Sequence, residues 1–257
     1  MSKITDAFKG KKALIAYIAG GDPDIETTEK LILAMEDAGA DIIEIGIPFS
    51  DPIAEGPVIQ DADKRALDNG CTVDKLFALV KKIRATTNMP LLFMTYANPI
   101  YVYGKEKFMT KCEENGIDGI IVPDVPFEEK DEFEEAAENH NICLISMIAP
   151  TSGDRIEKIA KEAKGFLYCV SSLGVTGVRS SINANIAELI NKVKNFSSVP
   201  CAVGFGISTP EQARKMAAIS DGVIVGSAIE RIVAEFGGDS VDEVKAFVKD
   251  LKNSIIL

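Results

Sequence analysis

Eight short apolar runs, each followed by a longer amphipathic stretch, limit what this chain can fold into. The runs are rich in Ile, Leu and Val and alternate little with polar residues. Strands that are covered on both faces, as in parallel sheets, have this pattern. The runs cover residues 13–19, 41–47, 90–96, 118–122, 142–148, 166–171, 199–203 and 221–225. We therefore predict eight parallel strands.

The stretches between the runs carry apolar residues at the spacing of an amphipathic helix. In residues 73–84, for example, apolar side chains recur every three or four positions, which places them on one face of a helix. The main predicted helices cover residues 27–38, 73–84, 105–114, 128–139, 154–163, 186–193, 211–218 and 241–252. Such an alternation of strands and helices predicts an α/β protein.

We predict a single (β/α)₈ barrel, or TIM barrel, that spans residues 1–257. A chain of 257 residues suits one barrel of this kind, and no Ser/Gly-rich linker or change in composition marks a domain boundary. An extra helix at residues 2–8 would plug the bottom of the barrel, and a short helix at residues 227–236 would follow the eighth strand. A doubly wound open sheet is the alternative, because alternation alone does not show that the sheet closes.

The composition argues against several partners and cofactors. The net charge of −11 disfavours nucleic acid and anionic lipid surfaces, and no apolar run reaches the ~18 residues of a membrane span. The five cysteines show no CxxC spacing, so we expect neither a disulfide framework nor a zinc site, and a reducing, cytoplasmic setting. No GxGxxG motif follows a predicted strand, which argues against a dinucleotide cofactor.

Glycine-bearing segments follow three late strands, where barrels often bind phosphate. The segments cover residues 174–177, 204–207 and 226–227, and the last opens directly into the predicted helix 227–236. Glycine lets the backbone approach a ligand closely, and a helix N-terminus offers free N–H groups to an anion. Since the loops after the seventh and eighth strands form a recurrent phosphate site, we predict that a phosphate group binds here. The alternative is that these glycines only make turns.

Glu44 is a carboxylate within an otherwise apolar predicted strand. Such burial is costly unless the group has a task or a partner, and the predicted strands contain no Lys or Arg that could pair with it. Inside the barrel, loss of solvent would raise its pKa and suit it to be a general acid. The Pro-rich loop that follows holds Asp51 and Glu55, and spacing alone does not choose which of them works with Glu44. The single His140 lies at a predicted helix end, so acid–base work falls to carboxylates, tyrosine or lysine.

Apolar and aromatic side chains near the strand ends predict a pocket for a flat apolar group. They are Tyr17, Met94, Tyr96, Ile121, Tyr168 and Phe205. Each of them alone is more often an ordinary core residue, but together on one rim they favour a pocket.

Eight segments together resemble the tryptophan synthase alpha subunit, and the resemblance covers nearly the whole chain. The segments are AGGDP at 19–23, EIGIPFSDP at 44–52, GPVIQ at 56–60, YANP at 96–99, PDVP at 123–126, GVTG at 174–177, GFGI at 204–207 and GSAI at 226–229. Their order and spacing are far more specific than any single motif.

The resemblance implies a lyase of L-tryptophan biosynthesis that cleaves indole-3-glycerol phosphate to indole and glyceraldehyde 3-phosphate, a retro-aldol reaction. It implies neither a metal nor an organic cofactor in this subunit. The family's general acid matches Glu44, and its second carboxylate, commonly an aspartate, falls on Glu55. Substrate contacts are expected from Tyr17, Ile59, Met94, Tyr96, Ile121, Tyr168, Thr176, Gly177, Phe205, Gly206, Gly226 and Ser227. Tyr168 is expected to hydrogen-bond either Glu44 or the substrate.

The chemistry of the reaction agrees with these roles. Indole leaves only if its ring carbon C3 accepts a proton, and a glycerol hydroxyl must lose a proton as its carbon becomes an aldehyde. Protonated Glu44 is expected to deliver the first proton and, as a carboxylate, to accept the second. Glu55 is expected to accept a hydrogen bond from the indole N–H and to stabilise the positive charge on the ring.

The resemblance also implies a partner subunit. Family members deliver indole to a beta subunit that carries pyridoxal phosphate, in an expected α2β2 assembly, and Pro48, Asp51 and Asn98 lie where the family contacts that partner. In the family, the loops at 48–55 and 174–181 close over the substrate. Ser172 stands where an arginine is often found, so partner-driven closure is expected to differ in detail, with Arg179 a candidate for the missing cation.

Two other functions are left open by the residues themselves. A phosphosugar isomerase or epimerase would share the glycine-bearing rim, although such enzymes typically use a histidine, a lysine or a metal at the strand ends. A barrel that mainly activates another subunit is the non-enzymatic alternative. A substrate screen that shows isomerase but no lyase activity would favour the first alternative. No detectable indole release by the isolated chain, together with stimulation of a beta subunit, would favour the second.

Overall fold

The strands form one parallel sheet that closes on itself. The structure is a computed structural model that describes residues 2–170, 179–204 and 206–256. Nine strands within these residues are β1 Ala13–Ala19, β2 Ile42–Gly46, β3 Leu91–Met94, β4 Gly119–Ile121, β5 Cys143–Leu144, β6 Ser146–Ile148, β7 Leu167–Val170, β8 Cys201–Gly204 and β9 Gly222–Val225. Their order in the sheet is β5-β4-β3-β2-β1-β9-β8-β7-β6. The two ends of this order are β5 and β6, which are neighbours in the chain.

The closure runs through one interrupted strand. Cys143 of β5 pairs with Gly119 of β4, and Ser146 of β6 pairs with Leu167 of β7. Between them, the N–H of Ile145 donates a hydrogen bond to the carbonyl of Ile120 over 2.9 Å. β5 and β6 together therefore act as the fifth of eight barrel strands. The predicted (β/α)₈ barrel is confirmed, and the open-sheet alternative is wrong.

Helices connect the strands and cover the outside of the barrel. Twelve within the described residues are α1 Lys3–Asp6, α2 Ile25–Asp37, α3 Pro57–Asp68, α4 Val73–Ile83, α5 Ala97–Tyr103, α6 Lys105–Asn115, α7 Asp131–Asn139, α8 Ile156–Glu162, α9 Arg179–Lys194, α10 Pro210–Ala217, α11 Ser227–Phe236 and α12 Val241–Ile255. All ten predicted helices are present, with ends shifted by a few residues. The predictions missed α3 and α5, which lie in stretches for which no helix was predicted.

The apolar core has two layers separated by the barrel wall. The interior cluster contains inward-facing strand residues such as Ile15, Leu92 and Ile224, and the N-terminal segment adds Ile4 and Phe8 to it. The outer cluster joins the strands to the surrounding helices. Since Ile4 is fully buried, the N-terminal helix plugs one end of the barrel, as predicted. The other end is left for a ligand.

No helix in the described ranges is both long enough and apolar enough to cross a membrane.

Candidate active site

A cavity of about 500 Å³, including the part open to solvent, lies at the carboxyl-terminal end of the barrel. Strands supply its floor and the segments after β2, β8 and β9 supply its rim. Its lining consists of Tyr17, Glu44, Glu55, Ile59, Met94, Tyr168, Gly206, Ile207, Ile224, Gly226 and Ser227. The structure thus brings both predicted acids together with seven of the predicted substrate contacts.

Glu44 lies in the middle of β2 with its side chain inside the barrel. The residue is fully buried, and neither carboxylate oxygen has a hydrogen-bond partner among the described residues. Burial, helped by the negative charge of Glu55, raises the pKa of Glu44 to about 8. A buried carboxyl group without a partner favours its protonated form. Glu44 can therefore hold a proton at neutral pH and give it to a ligand.

Glu55 lies at the end of the loop after β2, two residues before α3 begins. It is partly exposed, and the burial of its side chain raises the pKa to about 7. Because Glu55 is less buried than Glu44, its charged form is better solvated, so Glu55 loses its proton first as the pH rises. Two carboxyl groups whose surroundings separate their pKa values can divide the roles of acid and anion.

Two buried tyrosines flank Glu44, and each is accommodated by a glycine on a neighbouring strand. Tyr17 on β1 is the register partner of Glu44. A Cβ atom at Gly46 would collide with the Tyr17 hydroxyl, and one at Gly204 would collide with the hydroxyl of Tyr168. Burial is the main reason that the pKa of each tyrosine is raised, so both stay protonated and can donate. Tyr168 makes no hydrogen bond to Glu44, whose oxygens are unpartnered within the described ranges; the predicted bond to substrate stays a prediction.

The opposite rim combines a helix start with a glycine backbone. Gly226 and Ser227 open α11, and the N–H groups of Ile229 and Glu230 already bond to the Gly226 carbonyl. The N–H groups that precede this first helical bond are available to an anion. Gly206 has φ of 78°, a left-handed conformation that favours glycine. This rim can hold a phosphate group.

Two predicted substrate contacts, Tyr96 and Ile121, do not line the cavity. Thr176, Gly177 and Phe205 fall outside the described residues. Tyr96 packs its ring on Phe49 with 5.3 Å between the ring centroids, and its hydroxyl accepts a hydrogen bond from the N–H of Ala54 over 2.9 Å. Tyr96 therefore supports the loop that carries Glu55. Ile121 is fully buried on β4 in the same interior cluster as Met94.

The predicted partner contacts lie near this end of the barrel. Asp51 and Asn98 are exposed, whereas Pro48 is buried in the isolated chain. Three exposed apolar side chains are close in sequence to Asp51 and Asn98. They are Ile53, which is 82% exposed, Val102 at 81% and Tyr101 at 51%.

Sequence reasoning missed two lining residues and a group of buried charges. Ile207 and Ile224 line the cavity, and the two-residue period of a strand could have placed Ile224 inside the barrel. Asp22 accepts hydrogen bonds from Arg65 Nε at 2.9 Å and Nη2 at 2.6 Å. Glu230 Oε1 accepts a bond from the N–H of Ala19 over 2.6 Å. No local sequence signal joins these residues, because they are far apart in the chain.

A further buried acid, Asp63 of α3, lies near the cavity. Burial raises its pKa to about 7, and the N–H of Phe49 opposes this rise. His140 lies at the end of α7 and contacts Glu113, with 2.8 Å between Nδ1 and Oε2. In the part of the chain that the structure describes, no group of three or more His, Cys, Asp or Glu residues is arranged to hold a metal ion.

The fold and the cavity define a (β/α)₈-barrel enzyme with two carboxyl groups in a cavity at the carboxyl-terminal end of the barrel. More specifically, the chain belongs to the tryptophan synthase alpha chain family, whose model matches residues 4–255. It is therefore an enzyme subunit of tryptophan biosynthesis.

Individual relatives agree with this assignment. A tryptophan synthase alpha chain from Thermoanaerobacter sp. (strain X514) is 48% identical over 246 residues, which cover 95% of this chain and 94% of the relative. A tryptophan synthase alpha chain from Lacticaseibacillus casei is 46% identical over 255 residues, which cover 99% and 96%. The crystal structure of tryptophan synthase subunit alpha from Legionella pneumophila str. Paris matches with a TM-score of 0.91 and 36% identity, covering 99% of this chain and 98% of that chain.

Proposed function

We propose that this chain cleaves indole-3-glycerol phosphate to indole and glyceraldehyde 3-phosphate. The observation that carries the proposal is the fully buried Glu44, which has no hydrogen-bond partner in the described ranges and shares a cavity with Glu55. In this reaction, the bond between indole C3 and the glycerol chain breaks. The electron pair of that bond goes to the ring, C3 gains a proton, and the neighbouring hydroxyl loses one.

Glu44 supplies and then removes the protons. With a pKa of about 8, it is largely protonated at neutral pH and delivers a proton to C3. The resulting carboxylate is poorly solvated and has no partner among the residues that the structure describes, so it is a strong base for the hydroxyl proton of the substrate. Glu44 is thereby returned to its starting state.

Glu55 holds the ring and stabilises its charge. Protonation at C3 leaves positive charge on the indole nitrogen, and the ionised form of Glu55 accepts the N–H hydrogen bond there. A fixed negative charge at this point stabilises the transition state more than the ground state. Tyr17, Ile59, Met94 and Tyr168 supply the apolar walls for the ring.

The phosphate binds at the other end of the cavity. The start of α11, with Gly226 and Ser227, and the backbone of Gly206 would hold its oxygens through N–H groups. Residues 176 and 177 are proposed to complete this site. Binding at both ends fixes the reacting carbon between Glu44 and Glu55, which lowers the entropic cost of reaching the transition state.

We further propose that the product indole passes to a beta subunit that carries pyridoxal phosphate, in an α2β2 assembly, with no organic cofactor in this chain. The exposed side chains of Ile53, Tyr101 and Val102 are close in sequence to Asp51 and Asn98, and we propose that they take part in the contact with this partner. Exposed apolar patches mark protein interfaces.

The direct test is the variant Glu44→Gln, which keeps the shape of the side chain but cannot exchange the proton. We expect indole release to fall by ~10²–10⁴-fold, while binding of glycerol 3-phosphate stays within about threefold because the phosphate end is intact. The exposed Glu135→Gln is the matched control and should behave as wild type. Release within about tenfold of wild type by Glu44→Gln would refute the proposed role.

A further inference from the structure

Two buried acids and a partly exposed arginine connect the helices that lead to the two ends of the cavity. They are Asp22 after β1, Arg65 on α3 and Glu230 on α11. We call them the Asp22–Arg65–Glu230 cluster. The Asp22 side chain is fully buried and Glu230 is 1% exposed. The first turn of α11 forms the phosphate rim, and α3 starts two residues after Glu55, so the cluster touches the helix at each end of the substrate site.

The contacts within the cluster are specific. Arg65 donates two hydrogen bonds to the carboxylate of Asp22, at 2.9 and 2.6 Å, in the bidentate geometry that is strongest for such a pair. Glu230 is the fourth residue of α11, and its Oε1 accepts a hydrogen bond from the N–H of Ala19 at the end of β1. Its Oε2 is buried with no hydrogen-bond partner among the described residues, and the carboxyl group of Asp22 lies close enough to affect its titration.

When two buried carboxyl groups lie close together, repulsion between their charges favours a proton on one of them. The cluster holds one cation for two acids, and Arg65 gives both of its hydrogen bonds to Asp22. The other charged or titratable groups near Glu230 are Tyr17 on β1 and Arg65 itself. Burial, with the charge of Asp22, raises the pKa of Glu230. The neutral acid can donate from Oε2 to Asp22 while Oε1 still accepts from Ala19.

We propose that protonated Glu230 is a positioning residue. It holds α11 against β1 through its hydrogen bond with Ala19, and it holds α11 against α3 through Asp22 and Arg65. These contacts fix the distance between Glu55 and the rim that would bind phosphate, at Gly226 and Ser227. They thereby place the reacting carbon against Glu44. The inference builds on the proposed cleavage reaction, because it assigns the cluster to the spacing of a substrate held at both ends. α3 and α11 also pack against one another directly, which lets the cluster set their relative position.

The test compares two replacements of Glu230. In Glu230→Gln, the amide oxygen can accept from Ala19 and the amide nitrogen can donate to Asp22, as the protonated acid does. In Glu230→Leu, both bonds are lost. We expect kcat of Glu230→Gln within about twofold of wild type, and kcat of Glu230→Leu lower by about tenfold, because misplacement by about 1 Å can cost up to 10²-fold in rate. The matched control is Glu235→Leu, at an exposed position of the same helix.

Two ligands of different length separate positioning from a loss of stability. Glycerol 3-phosphate needs only the phosphate end, so its Kd in Glu230→Leu should stay within about threefold of wild type. An analogue with a plain propyl chain between indole and phosphate spans both ends, and its Kd should rise about tenfold. A merely structural role would lower Tm but leave kcat per folded molecule and the ratio of the two Kd values unchanged, and that result would overturn the proposal. Equal losses of kcat in the Gln and Leu variants would overturn it as well.

The proposal for Glu230 and the proposed cleavage reaction can fail independently of one another. Absence of indole release by wild type would refute the proposed function, whereas the comparison of the two ligands needs no turnover. Should Glu230→Leu not fold, the ¹³C signal of the Glu230 side-chain carboxyl carbon, assigned by its loss in Glu230→Gln, decides the matter. We expect it to stay in the protonated position at neutral pH; an ionised Glu230 there would contradict the proposal.

Discussion

Two groups of buried acids near β1 differ in whether a cation balances their negative charge. Asp22, in the Asp22–Arg65–Glu230 cluster, has a guanidinium against it at 2.6 Å. Glu44, in the cavity, is equally buried but has no partner within the described residues. Asp22 pairs with a cation, which fits a structural role, whereas Glu44 lines the cavity and is available to a ligand there. The difference between the two groups therefore separates the frame of the site from its chemistry.

The largest effect within this comparison is expected at the anionic member of the cavity pair. Glu55→Gln removes the charge that would stabilise the ring cation, and we expect kcat to fall by ~10²–10³-fold. Glu55→Asp keeps the charge with a side chain shorter by one methylene, and we expect a loss of about tenfold or less. Steady-state indole release measures both. Equal losses in the two variants would show that the charge of Glu55 is not what the reaction needs.

A second prediction concerns the stability cost of keeping Glu44 without a partner. Its pKa rises from an ordinary value of 4.5 to about 8 on folding, so the folded state binds more protons than the unfolded state between these values. Stability therefore falls as the pH rises through that window. Glu44→Gln removes this dependence. The quantity to compare is the free energy of unfolding of Glu44→Gln minus that of wild type. We expect this difference to be about 3 kcal/mol larger at neutral pH than at about pH 4.

Urea unfolding of both proteins at the two pH values measures this difference. Glu135→Gln, at an exposed site, should show no such change with pH. A Glu44→Gln variant whose stability follows wild type at both pH values would mean that Glu44 is not held protonated by the fold.

The smallest effect is expected in the Asp22–Arg65–Glu230 cluster, and it has the opposite sign. Arg65→Met leaves the buried carboxylate of Asp22 without its cation. Removing one partner of a fully buried pair costs about 3–5 kcal/mol; since the Arg65 side chain is 34% exposed, solvent screening lowers our expectation to about 2 kcal/mol. Lys64→Met, in an exposed pair on the same helix, is the control and should cost less than about 1 kcal/mol. If Arg65→Met lost no more stability than the control, Asp22 would not need its cation.

Most of the barrel follows from local patterns in the sequence. Most of the strands, such as β1, β2 and β3, are buried on both faces, so their apolar runs are continuous and easy to recognise. α3 was missed because it begins with Gly56 and Pro57 inside a Pro-rich stretch, and Pro at a first helical position is compatible with either a loop or a helix. α5 was missed because it is short, at seven residues, and contains Pro99.

The residues of the site likewise fall into those that the local sequence predicts and those that it does not. The position of Glu44 could be predicted, because an acid within an apolar strand is exceptional in the local sequence. The Asp22–Arg65–Glu230 cluster could not, because each member lies among other charged residues and would be read as exposed. Its hydrogen bonds join residues 43 and 211 positions apart, and only the closed barrel brings them together. The role of Tyr96 likewise depends on a loop contact that spacing does not reveal.

The pH dependence of kcat/KM for indole release tests the central claim most directly, namely that a protonated Glu44 works with an ionised Glu55. Activity should fall below about pH 7 as Glu55 gains its proton and above about pH 8 as Glu44 loses its own, by about tenfold per pH unit on each side. Asp63→Asn should keep both limbs, which excludes the neighbouring acid whose pKa is also about 7. A profile that stays level to about pH 10, or that falls only near the ordinary glutamate pKa, would contradict the division of roles between the two acids.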